Sequence, residues 1–118
     1  MTQEKMTYYV DMTSEQVLPE PLESPSFTIH ATRQEVAVLE RIFEKNEEKD
    51  MESYVRAHIP TFEYFDDPVN KQYDKSMKMI YAVIYALGDE EAKRHIEGMG
   101  ILSTNKAEDP TYVREEDR

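Results

Sequence analysis

The chain has 118 residues, 39% of them hydrophobic and 33% charged, which suits one domain with a modest core. Its formal net charge of −11 divides as −4 over residues 1–26, −5 over 27–102 and −2 over 103–118, so no detachable acidic tail accounts for it. A surface of that sign repels phosphate backbones, which argues against direct nucleic-acid binding and suits a basic protein partner; the absence of cysteine excludes disulfides, thiol catalysis and cysteine-ligated metals.

The opening MTQEKMTYYVDMT has no basic stretch leading into an apolar one, so it predicts a protein without a secretory leader. The longest apolar run, 79–87, is nine residues, and a membrane span needs about twenty. The expectation is a soluble, cytoplasmic protein with no membrane partner.

Residues 1–25 read as an extended, flexible segment, because Pro19, Pro21 and Pro25 each remove an amide donor and fix their own φ. Within it TYYVDM, 7–12, is rich in β-favouring residues and predicts a short strand. In SFTIHA, 26–31, Phe27 and Ile29 alternate with Thr28 and His30, which predicts a strand with one buried face. The two strands are expected to pair as an antiparallel ribbon across the proline loop.

The first helix starts at a capping box, Thr32 followed three residues on by Glu35. Val36, Leu39, Ile42 and Phe43 then recur at helical spacing, and EKNEEKD, 44–50, closes the helix in solvent. A second short helix spans about 50–59 with Met51, Tyr54, Val55 and Ile59 as its apolar stripe, and Pro60 ends it.

TFEYFDDP, 61–68, is an aromatic loop into a third helix, with Asp66 or Asp67 as N-cap and Pro68 in the first turn. That helix is expected to run over 69–87 and to stop at Gly88 as a left-handed cap. Its first half is amphipathic, with Val69, Tyr73 and Met77 on one side. Its second half, MIYAVIYAL, is apolar on every face and must be surrounded. The fourth helix starts at Asp89 and turns Ala92, His95, Ile96 and Met99 inward, until Gly98 and Gly100 break it. STNKAEDPTYVREEDR, 103–118, reads as a flexible polar tail.

The predicted architecture is therefore mainly α. It is a small bundle of about four helices around a central apolar helix, 69–87, with a short N-terminal strand or two-stranded ribbon. Residues 26–102 form its single helical domain.

The chemistry-bearing residues assemble into no catalytic, cofactor or metal motif. Glu91 and His95 stand one helical turn apart, half of a metal site without its other half, so His95 reads as structural. The paired carboxylates sit at helix starts or in solvated runs, where capping accounts for them. No G-x-S-x-G elbow is present, and the Gly98-x-Gly100 pair lacks the strand and lysine of a phosphate loop. The aromatic and methionine residues of the third helix are more informative, since Tyr, Phe and Met are enriched where proteins associate. Met77, Met79, Tyr81 and Tyr85 are the candidate interface.

These residues predict a noncatalytic protein-interaction or regulatory module, homodimeric through its third helix. One alternative is an acidic decoy that occupies a nucleic-acid-binding protein. The other is a ligand-binding protein or enzyme with a cleft near Tyr54, Tyr64 and Tyr81, beside His58.

Overall fold

A computed structural model describes residues 4–21, 25–44, 50–63 and 73–100. It corrects the mainly α expectation. The described residues form three strands and four helices: β1 (Met6–Asp11), β2 (Gln16–Leu18), β3 (Phe27–Ala31), α1 (Arg33–Phe43), α2 (Met51–His58), α3 (Lys75–Leu87) and α4 (Glu90–Met99). The strands make one antiparallel sheet in the order β2-β1-β3. The expected pairing of the first and second strand segments is present as β1 with β3, from Met6 opposite Ala31 to Val10 opposite Phe27.

What the sequence left out is β2. Three residues are too few to display alternation, and the prolines that follow made the whole stretch read as linker. Pro19 instead directly follows an edge strand, a position that proline tolerates. A four-residue turn joins β1 to β2. The Asp11 carboxylate organises it by accepting from the Thr13 amide at 3.0 Å and the Ser14 hydroxyl at 2.9 Å. Glu15 closes the turn in the left-handed region at φ 58.

Directly opposed residues share a face of an antiparallel sheet, and alternate residues change face. Val10, Val17, Ile29 and Ala31 therefore lie on one face, and all four are buried. Thr7, Tyr9, Leu18, Thr28 and His30 lie on the other. The helices cover the first face: α1 packs on β2 and β3, and α3 and α4 pack on β3. The first 25 residues thus carry two of the three strands and two buried valines.

The capping box of α1 is complete. Thr32 Oγ1 accepts from the Glu35 amide at 3.1 Å, and Glu35 Oε1 accepts from the Thr32 amide at 2.8 Å. Glu35 also meets Lys5 Nζ at 3.4 Å, which ties the helix start to the N-terminal segment. Val36, Val38, Leu39, Ile42 and Phe43 fill the core from this helix. In α2, Met51 and Val55 are buried, and Ile59 leaves the helix in extended backbone, as the residue before Pro60 should.

The third helix begins later than expected. Asp74 caps it, accepting from the Met77 amide at 2.8 Å, and Tyr73 is not helical. The expected start at Asp66–Pro68, with Val69, Tyr64 and Phe65, lies outside the described residues. The apolar second half behaves as its composition requires. Met79, Ile80, Tyr81, Ala82, Val83, Ile84 and Leu87 are all buried between β3, α1 and α4. A single copy of the chain surrounds them.

Gly88 is not a left-handed cap. Its φ is −77 and its ψ 168, ordinary extended backbone, and it bridges to Ile29 on the outer edge of β3. The next amide, of Asp89, donates to the Thr28 carbonyl at 3.1 Å. Here glycine answers to crowding: a Cβ would lie 2.6 Å from the Ile84 carbonyl oxygen and 2.9 Å from the Ala92 Cβ. Asp89 then caps α4 by accepting from the Ala92 amide at 2.8 Å. The helix runs through Gly98, which does not break it, and ends at Gly100, whose φ of 69 makes it the true left-handed cap.

Candidate functional site

Where β3, the β1–β2 turn, α3 and α4 converge, the surface is concave. The cleft has a volume of about 370 Å3. Met12 and Thr13 of the turn form one side, and Pro25, Ser26, Phe27 and Thr28 the second. Tyr81 of α3 and Asp89, Glu91, Ala92 and His95 of α4 complete it. The Gly88 crossing builds the site, because it holds the start of α4 against β3 and so brings His95 to Phe27.

Three rings meet there. Phe27 stands nearly perpendicular to both neighbours: its centroid is 5.3 Å from His95 at 70° and 6.1 Å from Tyr81 at 87°. Such edge-to-face contacts are favourable ring geometries. Tyr73 extends the set, 5.8 Å from Tyr81. Burial raises the Tyr81 phenol above its ordinary pKa, with Tyr73 adding to the shift. Glu91 and His95 are exposed at the rim. The Asp89 carboxylate is committed to the Ala92 amide.

The residues singled out from sequence separate in space. Met79 and Tyr81 are buried within the chain, whereas Met77 and Tyr85 are half-buried. Tyr81 reaches the cleft; Tyr85, one turn on, joins a different network. Its hydroxyl donates to Glu97 Oε2 at 2.5 Å, its carbonyl accepts from Lys93 Nζ, and its ring lies 5.0 Å from that ammonium. Bonding to Glu97, then burial and surrounding carboxylates, push the Tyr85 phenol up to about 12.

Tyr54 is not at the Tyr81 cleft. Its ring centroid is 4.5 Å from that of His58 at a tilt of 48°, with the Arg41 guanidinium 4.8 Å from its ring, and His58 Nδ1 lies 2.9 Å from the Tyr54 carbonyl. Tyr64 lies outside the described residues. His30 is on the open sheet face, 3.3 Å from the Thr7 hydroxyl. His95, expected to point inward, is exposed, and Met99 is half-buried.

Sequence reasoning assigned Phe27 to the buried face of a strand and Met12 to a strand end. The alternation that placed Phe27 on that face could not reveal that this face opens at its edge. The contact with His95 depends on where α4 docks, 68 residues further along the chain.

Among the described residues no three His, Asp or Glu side chains gather where a metal ion could sit, and no helix is long and apolar enough to cross a membrane. A second concavity, about 400 Å3, follows the outer edge of β2 beside α1, with Val17, Leu18 and Phe43 between Glu15, Glu40 and Glu44. No family model, curated protein or solved structure matches the chain.

Proposed function

We propose that this chain is a noncatalytic binding module that receives a segment of a partner protein in the Phe27–Tyr81–His95 cleft. The observation that carries this reading is the cleft's composition. Rings and the apolar surface of Met12 and Ala92 line it together with a comparable polar share from Thr13, Ser26, Thr28 and Asp89, with Glu91 at the rim. A concave surface that brings rings and convergent polar groups together is a usual form of binding site. The charge of −11 selects a basic partner and speeds its approach.

The module acts as a single copy in this reading. Homodimerisation through the third helix was expected because its apolar half needed cover, and its own sheet and helices supply that cover. Sedimentation velocity at tens of micromolar is expected to give one 13.9 kDa species; a concentration-dependent dimer would return the interface to Met77 and Tyr85.

The test of binding is selection of peptides from a random displayed library on the intact chain, followed by titration of the winners with NMR detection. The cleft reading expects shifts concentrated at Phe27, Ala92 and His95, and an affinity lowered at least tenfold by the exposed substitution His95→Ala. Peptides that shift residues elsewhere, or that ignore His95→Ala, would refute it. A steep salt dependence without any localised shift would favour the acidic decoy instead.

A further inference from the structure

We propose that the outer edge of β2 takes an extended, basic segment of a partner protein as an added strand. This site is separate from the Phe27–Tyr81–His95 cleft and does not depend on it. A strand at the end of a sheet directs every second pair of backbone N–H and C=O groups away from its one neighbour. β2 stands at the end of the order β2-β1-β3, with β1 as its partner. The opposite edge of the sheet is engaged by the chain itself: Ile29 of β3 bridges to Gly88, and the Thr28 carbonyl accepts from the Asp89 amide. Among the described residues, β2 is thus the edge still open to pairing.

This edge borders a groove shaped for side chains. Val17, Leu18 and Phe43 supply its apolar part, and Glu15, Glu40 and Glu44, all exposed, carry its charge. No lysine or arginine is among the described residues that line it. Glu40 and Glu44 stand one turn apart on the helical side, with Phe43 next to Glu44. A lysine or arginine fits that pattern, because its aliphatic stem lies on apolar surface while its charged head stays in water beside the carboxylates. Side chains of an added strand alternate between its two faces, so every second residue of the partner would turn towards α1. The partner is therefore a segment with lysine or arginine at alternate positions. Its paired stretch is short: Glu15, left-handed at φ 58, and Pro19, which has no amide to donate, bound an edge of three residues.

Charge selects this occupant over two others. A second copy pairing edge to edge would set its own Glu15, Glu40 and Glu44 against the same three side chains, and like charges brought face to face oppose pairing. Residues 103–118 of the chain carry −2 and meet the same repulsion. A basic strand gains from all three carboxylates and from the field of the whole chain. Backbone pairing then supplies affinity and the alternate side chains supply selectivity, as in other cases of strand addition.

The experiment titrates the full chain with blocked heptapeptides of alternating lysine and valine, and follows the amide NMR shifts of Gln16, Val17, Leu18 and Phe43. Controls are the alternating glutamate–valine peptide and a peptide of the same lysines and valines in two blocks. Two further peptides are N-methylated, one at the lysine amides and one at the valine amides. The alternating basic peptide is expected to shift the β2 and α1 amides, and the acidic one to leave them unmoved. An added strand pairs through one side only, so one methylated peptide should lose at least tenfold in affinity while the other keeps the parent's value. Glu40→Gln, an exposed change, should weaken the parent several-fold, with thermal melts to show that the fold is intact.

Equal affinity of both methylated peptides, whether retained or lost, would overturn strand addition. So would equal binding by the blocked lysine–valine peptide, which would leave charge alone as the cause. Shifts confined to Phe27, Ala92 and His95 would overturn the edge site and support the cleft, whereas shifts at β2 leave the cleft to its own test. Movement of the β2 amides on concentrating the free chain, with a dimer in sedimentation, would make a second copy the occupant and overturn the basic partner. Absence of any shift with the alternating basic peptide would overturn the proposal outright.

Discussion

Replacing Gly88 by alanine tests how closely the end of α3 and the first turns of α4 meet. The new Cβ would lie 2.6 Å from the Ile84 carbonyl oxygen and 2.9 Å from the Ala92 Cβ, distances that real contacts do not sustain. Neither neighbour can yield freely. The Ile84 carbonyl accepts the Gly88 amide itself at 2.6 Å, and Ala92 is buried on the inner face of α4. Relief requires α4 to back away by several tenths of an ångström or the helix-end hydrogen bond to break. Overpacking of this kind costs about 1–3 kcal/mol, and the reduced entropy of the unfolded chain returns about 0.4–1 kcal/mol. The net loss is about 1–2 kcal/mol, or a fall in Tm of about 4–8 °C by thermal melting. Gly88→Asn separates the explanations. Asparagine tolerates a left-handed cap, yet it brings the same Cβ into the same crowded space, so it should lose as much as alanine. Gly100 is the internal control, with φ 69 and open space around it: Gly100→Ala should cost about 1 kcal/mol and Gly100→Asn much less. A Gly88→Asn protein that melts with the wild type would refute the close-approach argument.

Other consequences are equally direct. The Tyr85 phenol, pushed up to about 12, stays protonated in the folded chain while it ionises in the unfolded chain near its ordinary value of 10. Its stabilisation is therefore complete below pH 10 and lost as pH rises from 10 to 12. Absorbance titration of phenolate should reveal late titration from Tyr81 and Tyr85 among the eight tyrosines, the Tyr85 part absent in Tyr85→Phe and shifted down in Glu97→Gln. Removing residues 1–21 takes away β1 and β2 with the buried Val10 and Val17, so calorimetry should find no cooperative transition; an unchanged Tm would mean that the sheet is dispensable. The single change Val10→Ala should cost about 2 kcal/mol through lost burial and a cavity in denaturant unfolding. Thr32→Ala removes the acceptor for the Glu35 amide and should cost about 1 kcal/mol in the same assay.

Local chemistry made several elements legible in the sequence. The Thr32–Glu35 box, the Asp89 cap, the Pro60 stop and the alternation in 26–31 each depend on residues within a few positions of one another, and each has its expected place. The all-round apolar segment 79–87 was legible as mostly buried, since a helix without a polar face must be covered; Tyr85 and Ala86 are its half-buried members. Its start was not. The proline signal at 68 pointed upstream, while Asp74 caps the helix in the fold.

The candidate site was legible only in fragments. His95 and Glu91 stood out as a pair, and Tyr81 as an aromatic of interest, but nothing near them in sequence named Phe27 or Met12. The sequence by itself determined which segments could be helix or strand, which surface must be hidden, and the sign of the electrostatic field. Tertiary structure alone decided that three residues after the first turn become an edge strand, that Gly88 bridges to Ile29 on the sheet, and that Phe27 faces His95. Each of those outcomes depends on contacts between residues far apart in the chain. Such contacts are set by how the layers dock and leave no periodic trace in either segment.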